Sequence, residues 1–258
     1  MAALLFPLPS FLKLYGPLGI SSFALCGIAG AFGGRLLVHR LQRGSVLEKL
    51  QAVEAALTPL FVGALIGARL FNQVAVADLV WYNPLSWIRV TGNSLSFTGG
   101  LVGAVAAVWW AGRRRGDSLA VLDALAPGAA LALAAGWLGV PAVGRITQLP
   151  WALPVAAGFG VQPVQPYGFA GFAAIAAALS WQASRLEFAG QNLASFVLLT
   201  AAFRFLLGFA EQAPRFFGPW SLAQVGDAAT VLAGLALLAW LRRDRGTVPA
   251  ASGEGGGA

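Results

Sequence analysis

Seven long apolar stretches run through this chain, separated by charged residues, Gly or Pro clusters and polar turns. Several of them reach the roughly 20 residues that an α-helix needs to cross a hydrocarbon layer ~30 Å thick. The sequence therefore predicts an all-α integral membrane protein with seven transmembrane helices. The predicted spans are residues 16–38, 51–72, 97–112, 119–140, 167–184, 191–210 and 221–241.

Charge composition supports the same class. The chain has 258 residues, of which 17 are Lys or Arg and 10 are Asp or Glu, and 58% are hydrophobic. A soluble domain of this length would carry about 25% charged residues, so a water-facing globule is excluded. The net charge of +7 is therefore expected to reflect lipid headgroups and membrane orientation, and no nucleic-acid partner is predicted.

Metal-binding and disulfide residue types are nearly absent from the sequence. Cys26 is the single cysteine and His39 the single histidine. One cysteine excludes an intramolecular disulfide framework and a multi-thiolate metal site, and one histidine excludes a His-cluster metal centre. The sequence therefore predicts neither a disulfide framework nor a metal site built from cysteines or histidines.

The third span is short, at 16 residues, but it is rich in glycine. Gly99, Gly100 and Gly103 favour close packing against a neighbouring helix, where exposure to lipid does not set the length. Residues 97–112 are therefore retained as a predicted span.

The distribution of Lys and Arg predicts the orientation. One side of the seven spans receives 11 of the 17 cations, which are Arg35, Arg40, Arg43, Lys49, Arg113, Arg114, Arg115, Arg185, Arg242, Arg243 and Arg245. The other side receives Lys13, Arg89, Arg145 and Arg215. Because Lys and Arg are enriched in cytoplasmic loops, the N-terminus is predicted outside and the C-terminus inside.

Two segments on the outer side are too long for simple turns. Residues 73–96 carry Trp81, Tyr82 and Trp87, which predicts an arm lying at headgroup level. Residues 141–166 contain five prolines and are predicted to form a small irregular periplasmic cap. Residues 1–241 form one membrane domain in this prediction, and residues 242–258 form a disordered cytoplasmic tail.

Among the ionisable residues within the predicted spans, where a charge costs at least ~2.5–3.5 kcal/mol, the candidates are Arg69, Asp123, Arg204 and Asp227. Arg204 is a candidate anion-binding group, because a guanidinium can hold two phosphate oxygens at once. The alternatives for Arg204 are an ion pair with Asp227 or Glu211, or extension to the outer interface. Arg69 lies nearer that interface and favours extension toward it. Asp123 is predicted to have a structural role at the start of its helix.

Eight short motifs, in order, resemble those of the bacterial prolipoprotein diacylglyceryl transferases. They cover residues 10–241 and are Leu14-Tyr15-Gly16, Gly67-Ala68-Arg69-Leu70, Leu95-Ser96-Phe97-Thr98-Gly99-Gly100, Leu122-Asp123 with Ala126-Pro127-Gly128, Gly136-Trp137-Leu138-Gly139, Pro163-Val164-Gln165-Pro166-Tyr167, Phe203-Arg204-Phe205 and Ser221-Leu222-Ala223-Gln224.

The resemblance implies a seven-helix protein of the bacterial inner membrane with a lipid cavity open toward the periplasm. Members of this family move a diacylglyceryl group from phosphatidylglycerol to a lipobox cysteine of a prolipoprotein. The implied partners are a phosphatidylglycerol-like phospholipid and a prolipoprotein signal peptide, or other membrane subunits. The resemblance implies no cofactor.

Site residues follow from the matching positions. The resemblance implies catalytic roles for Tyr15, Thr98 and Arg204. It implies lipid or phosphate contacts at Arg69, Ser96, Gly99, Gly100, Gln165, Tyr167, Arg204 and Gln224.

Several chemistry-bearing positions depart from the family pattern. The family has His where this chain has Thr98, Arg where it has Trp137, and Asn where it has Val140. A family Glu is replaced by Gly168, another His by Gln162, and the acidic residue four positions after the arginine by Gly208. Thr98 cannot take a proton near neutral pH, and Trp137 is expected to fill a phosphate cavity. Arg145 replaces the missing arginine only if the chain rearranges around Pro141.

Three functions remain open on the sequence. The first is a divergent diacylglyceryl transferase, or a relative that acts on another lipid. The second is a catalytically degenerate homologue that serves as a lipid-binding or structural subunit of a membrane complex. A transporter or channel is disfavoured, because the two halves of the chain show no convincing repeat.

Overall fold

A computed structural model of the chain describes residues 11–15, 18–42, 47–75, 96–139, 144–156 and 159–244. Seven helices lie within these residues, and each overlaps one predicted span. They are α1 (Ser22–Leu41), α2 (Leu47–Ala75), α3 (Phe97–Gly112), α4 (Ser118–Gly139), α5 (Val164–Ala183), α6 (Gln191–Leu207) and α7 (Leu222–Asp244).

Three of the described helices are long and apolar enough to cross a membrane. They contain Gln51–Asn72 of α2, Ser118–Gly139 of α4 and Leu222–Arg243 of α7. The other apolar helices include α3 and α6, which are shorter at 16 and 17 residues. The fold is therefore helical and suited to a membrane, while the count of seven crossings remains a prediction from the sequence.

Helix α4 is the centre of the bundle and packs against α1, α2, α3, α5 and α6. Its small side chains make this possible, since Ala126, Ala130 and Ala134 are buried against α5 and α6. The remaining strong pairings are α2 with α3 and α6 with α7.

The close approach predicted for the third span is confirmed. A Cβ on Gly99 or Gly103 of α3 would collide with the backbone of Gly67 or Gly63 on α2. Only glycine permits this backbone contact, which is how small residues hold helices together in lipid. The main chain continues the contact, since Ser96 N donates to Ala68 O at 3.0 Å.

Helix α5 begins three residues earlier than the predicted span. Pro163 is its N-cap residue and Pro166 lies in its first turn, where the missing N–H of proline breaks no intrahelical bond. The two prolines are therefore compatible with a helix that begins at Val164.

The cap contains a small antiparallel sheet where irregular chain was expected. Strands β3 (Ile146–Thr147), β4 (Leu153–Ala156) and β5 (Phe159–Val161) pair in the order β3-β5-β4. The described residues also contain two hairpins. In one, β1 (Phe11–Tyr15) pairs with β2 (Leu18–Ser21), and in the other, β6 (Arg215–Phe217) pairs with β7 (Trp220–Ser221). Most of the predicted arm, residues 76–95, and the tail from residue 245 lie outside the described residues.

Exposed tryptophans lie at both ends of the bundle. Trp110, Trp181 and Trp240 are exposed near the C-terminal ends of α3, α5 and α7. The guanidinium of Arg113 lies 3.3 Å from the Trp110 ring centroid, and that of Arg185 lies 4.2 Å from the Trp181 ring centroid. Trp151 and Trp220 are exposed at the opposite end. Two such aromatic levels are typical of a protein that meets both membrane interfaces.

Candidate functional site

Most of the predicted site residues meet at one end of the bundle. At this end, called the site end below, α2, α4 and α6 finish while α3, α5 and α7 begin. The predicted residues on these helix termini are Arg69, Ser96, Thr98, Gly99, Gly100, Gln165, Tyr167, Arg204 and Gln224.

Arg204 makes an ion pair across the α6–α7 contact. Its Nε lies 3.3 Å from Oδ1 of Asp227, and the two side chains are 18% and 3% exposed. The guanidinium carbon also lies 4.3 Å from the centroid of the Phe97 ring, at the first turn of α3. Of the alternatives that the sequence left open, the ion pair with Asp227 is the one that forms. This contact uses one of the five N–H groups of the arginine, because Nε donates to Asp227.

Glu211 is a second carboxyl whose pKa responds to this ion pair. It follows the C-terminal end of α6 and pairs through its backbone with Gly144 of the cap. Burial raises the pKa of Glu211 above its usual value, while Arg204 opposes the rise and Asp227 reinforces it. Both charges of the ion pair therefore act on Glu211, which places it in the same electrostatic environment.

The start of α3 is capped and faces this cluster. Ser96 is the N-cap residue, and its Oγ accepts from Gly99 N at 3.3 Å. The hydroxyl of Thr98 lies 3.5 Å from the position of a Cβ on Gly226, the residue before Asp227. Thr98 therefore lies beside α7 close to the ion pair, at the position where the resembled family has histidine.

Aromatic side chains fill the space between α4, α5 and α6. Trp137 and Phe172 stack with ring centroids 6.3 Å apart, and Phe172 meets Phe203 edge-on at 5.3 Å. The ring of Trp137 lies against Gly168, and that of Phe203 against Gly171, so that a Cβ at either glycine would collide with it.

This wall occupies two positions where the resembled family is charged, namely Trp137 for arginine and Gly168 for glutamate. An arginine and a carboxylate are thus replaced by an indole and the glycine that makes room for it. Phe172 is fully buried and Trp137 is 7% exposed, so the wall is packed interior.

Gln224 is fully buried and its amide is held by the protein. Its Oε1 accepts from Arg215 Nη1 at 2.7 Å and from Ser221 N at 3.0 Å, and its Nε2 donates to Phe205 O at 3.1 Å. Its side chain covers Gly208, where a Cβ would lie 2.6 Å from the Gln224 Cγ. The Gln224 amide therefore occupies the space beside the position where the family has an acidic residue.

Tyr167 lies in the first turn of α5 below the cap. Its hydroxyl accepts from Trp151 Nε1 at 2.7 Å. Gln165 is half-buried on the same turn. These two residues line the junction between the cap and the bundle.

Asp123 lies at the opposite end of the bundle and has a structural contact. Fourteen residues separate it from Trp137 on α4, or about 21 Å of helix. Its carboxylate accepts from Gly190 N at 2.6 Å and from Leu193 N at 2.9 Å, and so caps the start of α6. Gly190 has a φ of +88°, a conformation that favours glycine. The expected structural role is observed, although the helix that Asp123 caps is not its own.

The remaining predicted residues are less closely tied to the cluster. Arg69 is half-buried near the end of α2, one residue after the Ala68 carbonyl that accepts from Ser96. Tyr15 ends β1, and its side chain lies outside the described residues, as does Val140. Arg145 has an exposed side chain on the cap, and its backbone is bonded to Ala210 and Gln162. It does not occupy the space of the missing family arginine, which Trp137 fills.

The sequence did not assign Phe97, Phe203 or Arg215 to the site. Phe97 and Phe203 lie within quoted motifs, directly beside Thr98 and Arg204, and this adjacency was the available signal. Arg215 bonds Gln224 and also Pro219 O at 2.8 Å. The surrounding loop, residues 208–221, contains prolines and aromatic residues but no pattern that points to Gln224.

The chemistry open to this cluster is anion binding. A guanidinium and the positive end of the α3 dipole meet at one point, where a phosphate is favoured. Within the described residues, no group of three His, Cys, Asp or Glu side chains is placed to hold a metal ion. Among the described residues, Asp227 is the carboxyl that forms an ion pair with Arg204.

Comparison with known proteins gives a consistent result. The family model for prolipoprotein diacylglyceryl transferase matches residues 9–240. The phosphatidylglycerol–prolipoprotein diacylglyceryl transferase of Pseudomonas aeruginosa (strain LESB58) is 30% identical over 253 residues, which cover 92% of this chain and 95% of that protein. The transferase of the same name from Chromohalobacter salexigens is 30% identical over 249 residues, covering 88% and 90%.

A third relative, from Aliivibrio fischeri (strain ATCC 700601 / ES114), is 30% identical over 194 residues, covering 70% of each chain. The match extends over both the bundle and the cap. The chain therefore belongs to the prolipoprotein diacylglyceryl transferase family and is a membrane protein.

Proposed function

We propose that this protein holds the phosphate of a glycerophospholipid, such as phosphatidylglycerol, at Arg204 and does not carry out diacylglyceryl transfer. The single observation that carries the proposal is the packing of Trp137 on Gly168 beside a retained Arg204–Asp227 pair. It combines a guanidinium at a position that the family resemblance assigns to the site with a filled neighbouring space.

Lipid binding is supported by the charges at the site end. Arg204 keeps 18% of its side chain exposed, and four of its five N–H donors are not committed by the Nε contact to Asp227. Arg69 lies near the end of α2, beside the start of α3. A phosphate between these elements would meet guanidinium groups and the N-terminus of α3.

Loss of transfer is supported by what the reaction requires. The substrate thiol must give up its proton, its sulfur must attack a glyceryl carbon, and the C–O bond to glycerol phosphate must break. The leaving phosphate needs cationic stabilisation in the transition state, which the family's second arginine would supply. Trp137 supplies none, and Thr98 cannot accept the thiol proton near neutral pH.

Seven crossings of the bacterial inner membrane, with the site end toward the periplasm, complete the proposal. The cation-rich end of the bundle carries Arg113 and Arg185 on exposed tryptophans, which suits a cytoplasmic interface. Cysteine labelling from either side of the membrane tests this orientation, with Trp151→Cys expected to react from outside and Arg114→Cys from inside.

A product assay tests the proposed function. Purified protein is incubated with phosphatidylglycerol and a lipobox peptide, and the thioether product is measured by mass spectrometry, with the Pseudomonas aeruginosa relative as positive control. We expect lipid to co-purify with the wild type and to be depleted in Arg204→Gln. We expect no thioether product from the wild type. Robust product that disappears in Arg204→Gln contradicts the loss of transfer.

A second candidate function is retained transfer with Asp227 as the base. The position of Thr98 next to Gly226 favours it, because a carboxylate then lies close to the place of the family histidine. In this case the thiol proton passes to Asp227, and Asp227→Asn abolishes product while leaving bound lipid. Co-purification of stoichiometric partner subunits would instead support a structural-subunit role.

A further inference from the structure

We infer that Arg215 is a second phosphate-binding cation of the site, and that Gln224 positions its guanidinium one helical turn from the Arg204–Asp227 ion pair. The phosphate of one glycerophospholipid then contacts both arginines. The inference rests on the proposed lipid-binding function and adds a residue that the sequence motifs do not include.

The contacts of the two arginines lie next to each other along α7. Gln224 and Asp227 are three positions apart, so they share one face of the helix and are separated by about 4.5 Å along its axis. Arg204 Nε donates to Asp227 Oδ1 at 3.3 Å, and Arg215 Nη1 donates to Gln224 Oε1 at 2.7 Å. Helix α7 therefore holds the two guanidinium groups on adjacent turns.

The end of α6 connects the same two arginines. Gly208 N donates to Arg204 O at 2.9 Å, and Arg215 Nη2 lies 3.5 Å from Gly208 O. Glycine at this position leaves room for Gln224, whose Cγ would lie 2.6 Å from a Cβ on Gly208. Arg215 therefore contacts α6 one turn beyond Arg204, which is the spacing that it also has on α7.

Arg215 is held in place by the start of α7. It pairs with Ser221 across the hairpin of β6 and β7. Ser221 and Gln224 form a reciprocal cap, because Ser221 Oγ accepts from Gln224 N at 3.3 Å and Gln224 Oε1 accepts from Ser221 N at 3.0 Å. The same Oε1 accepts from Arg215. The cap therefore positions the guanidinium without a bound lipid, which lowers the entropy cost of binding one.

The partners of Arg215 leave its positive charge in place. Asp227 offsets the charge of Arg204, whereas the acceptors that Arg215 meets within the described residues are neutral oxygens, namely Gln224 Oε1, Pro219 O at 2.8 Å and Gly208 O. Arg215 is half-buried, and a charge withdrawn from water is stabilised by a partner of opposite sign. These contacts use three of its five N–H groups, so two remain for phosphate oxygens.

This pair of arginines differs from the pair that the family resemblance implies, whose second arginine would lie at residue 137 on α4. Trp137 fills that place, whereas Arg215 is bonded to α7. The phosphate is therefore expected between Arg204 and Arg215. Thr98 still cannot accept a thiol proton, so Arg215 strengthens lipid binding without restoring transfer.

Competition between lipids with and without a phosphate tests the inference. The purified protein is equilibrated in detergent micelles with equal amounts of phosphatidylglycerol and diacylglycerol of the same acyl chains, and retained lipids are counted by native mass spectrometry. Wild type is expected to retain phosphatidylglycerol preferentially. Arg215→Gln is expected to lower the ratio of phosphatidylglycerol to diacylglycerol by about tenfold, the effect of losing one charge-assisted contact. A general packing defect would reduce both lipids and leave the ratio unchanged.

Gln224→Glu separates the charge of Arg215 from its structural contacts, and it decides the matter if Arg215→Gln does not fold. The carboxylate keeps the acceptor that Arg215 and Ser221 use but offsets the positive charge, so the ratio should again fall. Arg145→Gln is the control, because it removes an exposed cation from the cap at the same end of the bundle and should leave the ratio unchanged.

An unchanged ratio in a folded Arg215→Gln or Gln224→Glu protein, or an equal fall in Arg145→Gln, overturns the inference. If Arg204→Gln lowers the ratio in that case, the proposed function stands without it. Absence of a preference for phosphatidylglycerol in the wild type, or an unchanged ratio in Arg204→Gln, instead removes the proposed function itself.

Discussion

The indole of Trp137 on α4 lies directly against the backbone of Gly168 on α5, so that a methyl group at residue 168 would overlap the ring. The motif resemblance described above implies an arginine and a glutamate at these two positions in the family. The two replacements fit each other sterically, since the larger side chain fills the space that the smaller one leaves. This pairing explains how the chain closes a polar site without leaving a cavity.

Gly168→Ala is expected to destabilise the protein by about 1–3 kcal/mol, because overpacking forces the indole or α5 to move. The measurement is the free energy of unfolding in mixed detergent and SDS. Gly136→Ala is the matched control, since a Cβ at that neighbouring position meets nothing within 4 Å. Equal losses in the two variants would show that the Trp137–Gly168 contact is not tight.

Replacing Arg204 or Asp227 alone is expected to lower the free energy of unfolding by more than replacing both residues together. Arg204→Met or Asp227→Leu alone leaves one uncompensated buried charge, at a cost of about 3–5 kcal/mol. The double variant should lose clearly less unfolding free energy than the sum of the losses in the two single variants. A double-mutant cycle on unfolding free energy measures this coupling, and strict additivity would mean that the ion pair does not form in the membrane.

Asp123→Ala is expected to lower stability without changing lipid retention. The substitution leaves the N–H groups of Gly190 and Leu193 without their carboxylate acceptor, at a cost of about 1–3 kcal/mol. Thermal unfolding and native mass spectrometry of bound lipid check the two halves of this prediction. Loss of lipid from a folded Asp123→Ala protein would contradict the structural role.

Stability is expected to fall as pH rises through the titration of Glu211. Burial raises the folded-state pKa of this carboxyl above its usual value of 4.5, so the folded protein holds the proton more tightly than the unfolded chain. Its contribution favours the fold below pH 4.5 and is lost as pH rises through the folded pKa. Glu211→Gln should remove this part of the pH dependence. The check is the unfolding midpoint across this pH range, and an unchanged pH dependence in Glu211→Gln would contradict the prediction.

The helices were predictable from the sequence because their positions depend on long local runs of apolar residues. All seven helices of the described residues overlap a predicted span, and the close packing of α3 followed from its glycines. The cap strands were not predicted, since two to four residues form a strand only when a partner strand is present.

The candidate site was predictable in its components but not in its pairings. Arg204 and Asp227 were both recognised as intramembrane charges, yet 23 positions separate them, and the sequence left several partners open. The size of Trp137 was enough to predict that it fills the site. Its contact with Gly168 could not be predicted, because it depends on how α4 and α5 cross. Asp123 caps α6 for the same reason, because tertiary packing brings together helix ends that are 67 positions apart.

The location of a bound lipid phosphate relative to Arg204 tests the central claim most directly. It can be measured in an experimentally determined structure of the protein in nanodiscs that contain phosphatidylethanolamine and phosphatidylglycerol. The account predicts a phosphate within hydrogen-bonding distance of the Arg204 guanidinium, with the Trp137 indole still packed on Gly168. A phosphate seated between residues 137 and 168 with the indole turned away, or no lipid at Arg204, would contradict it.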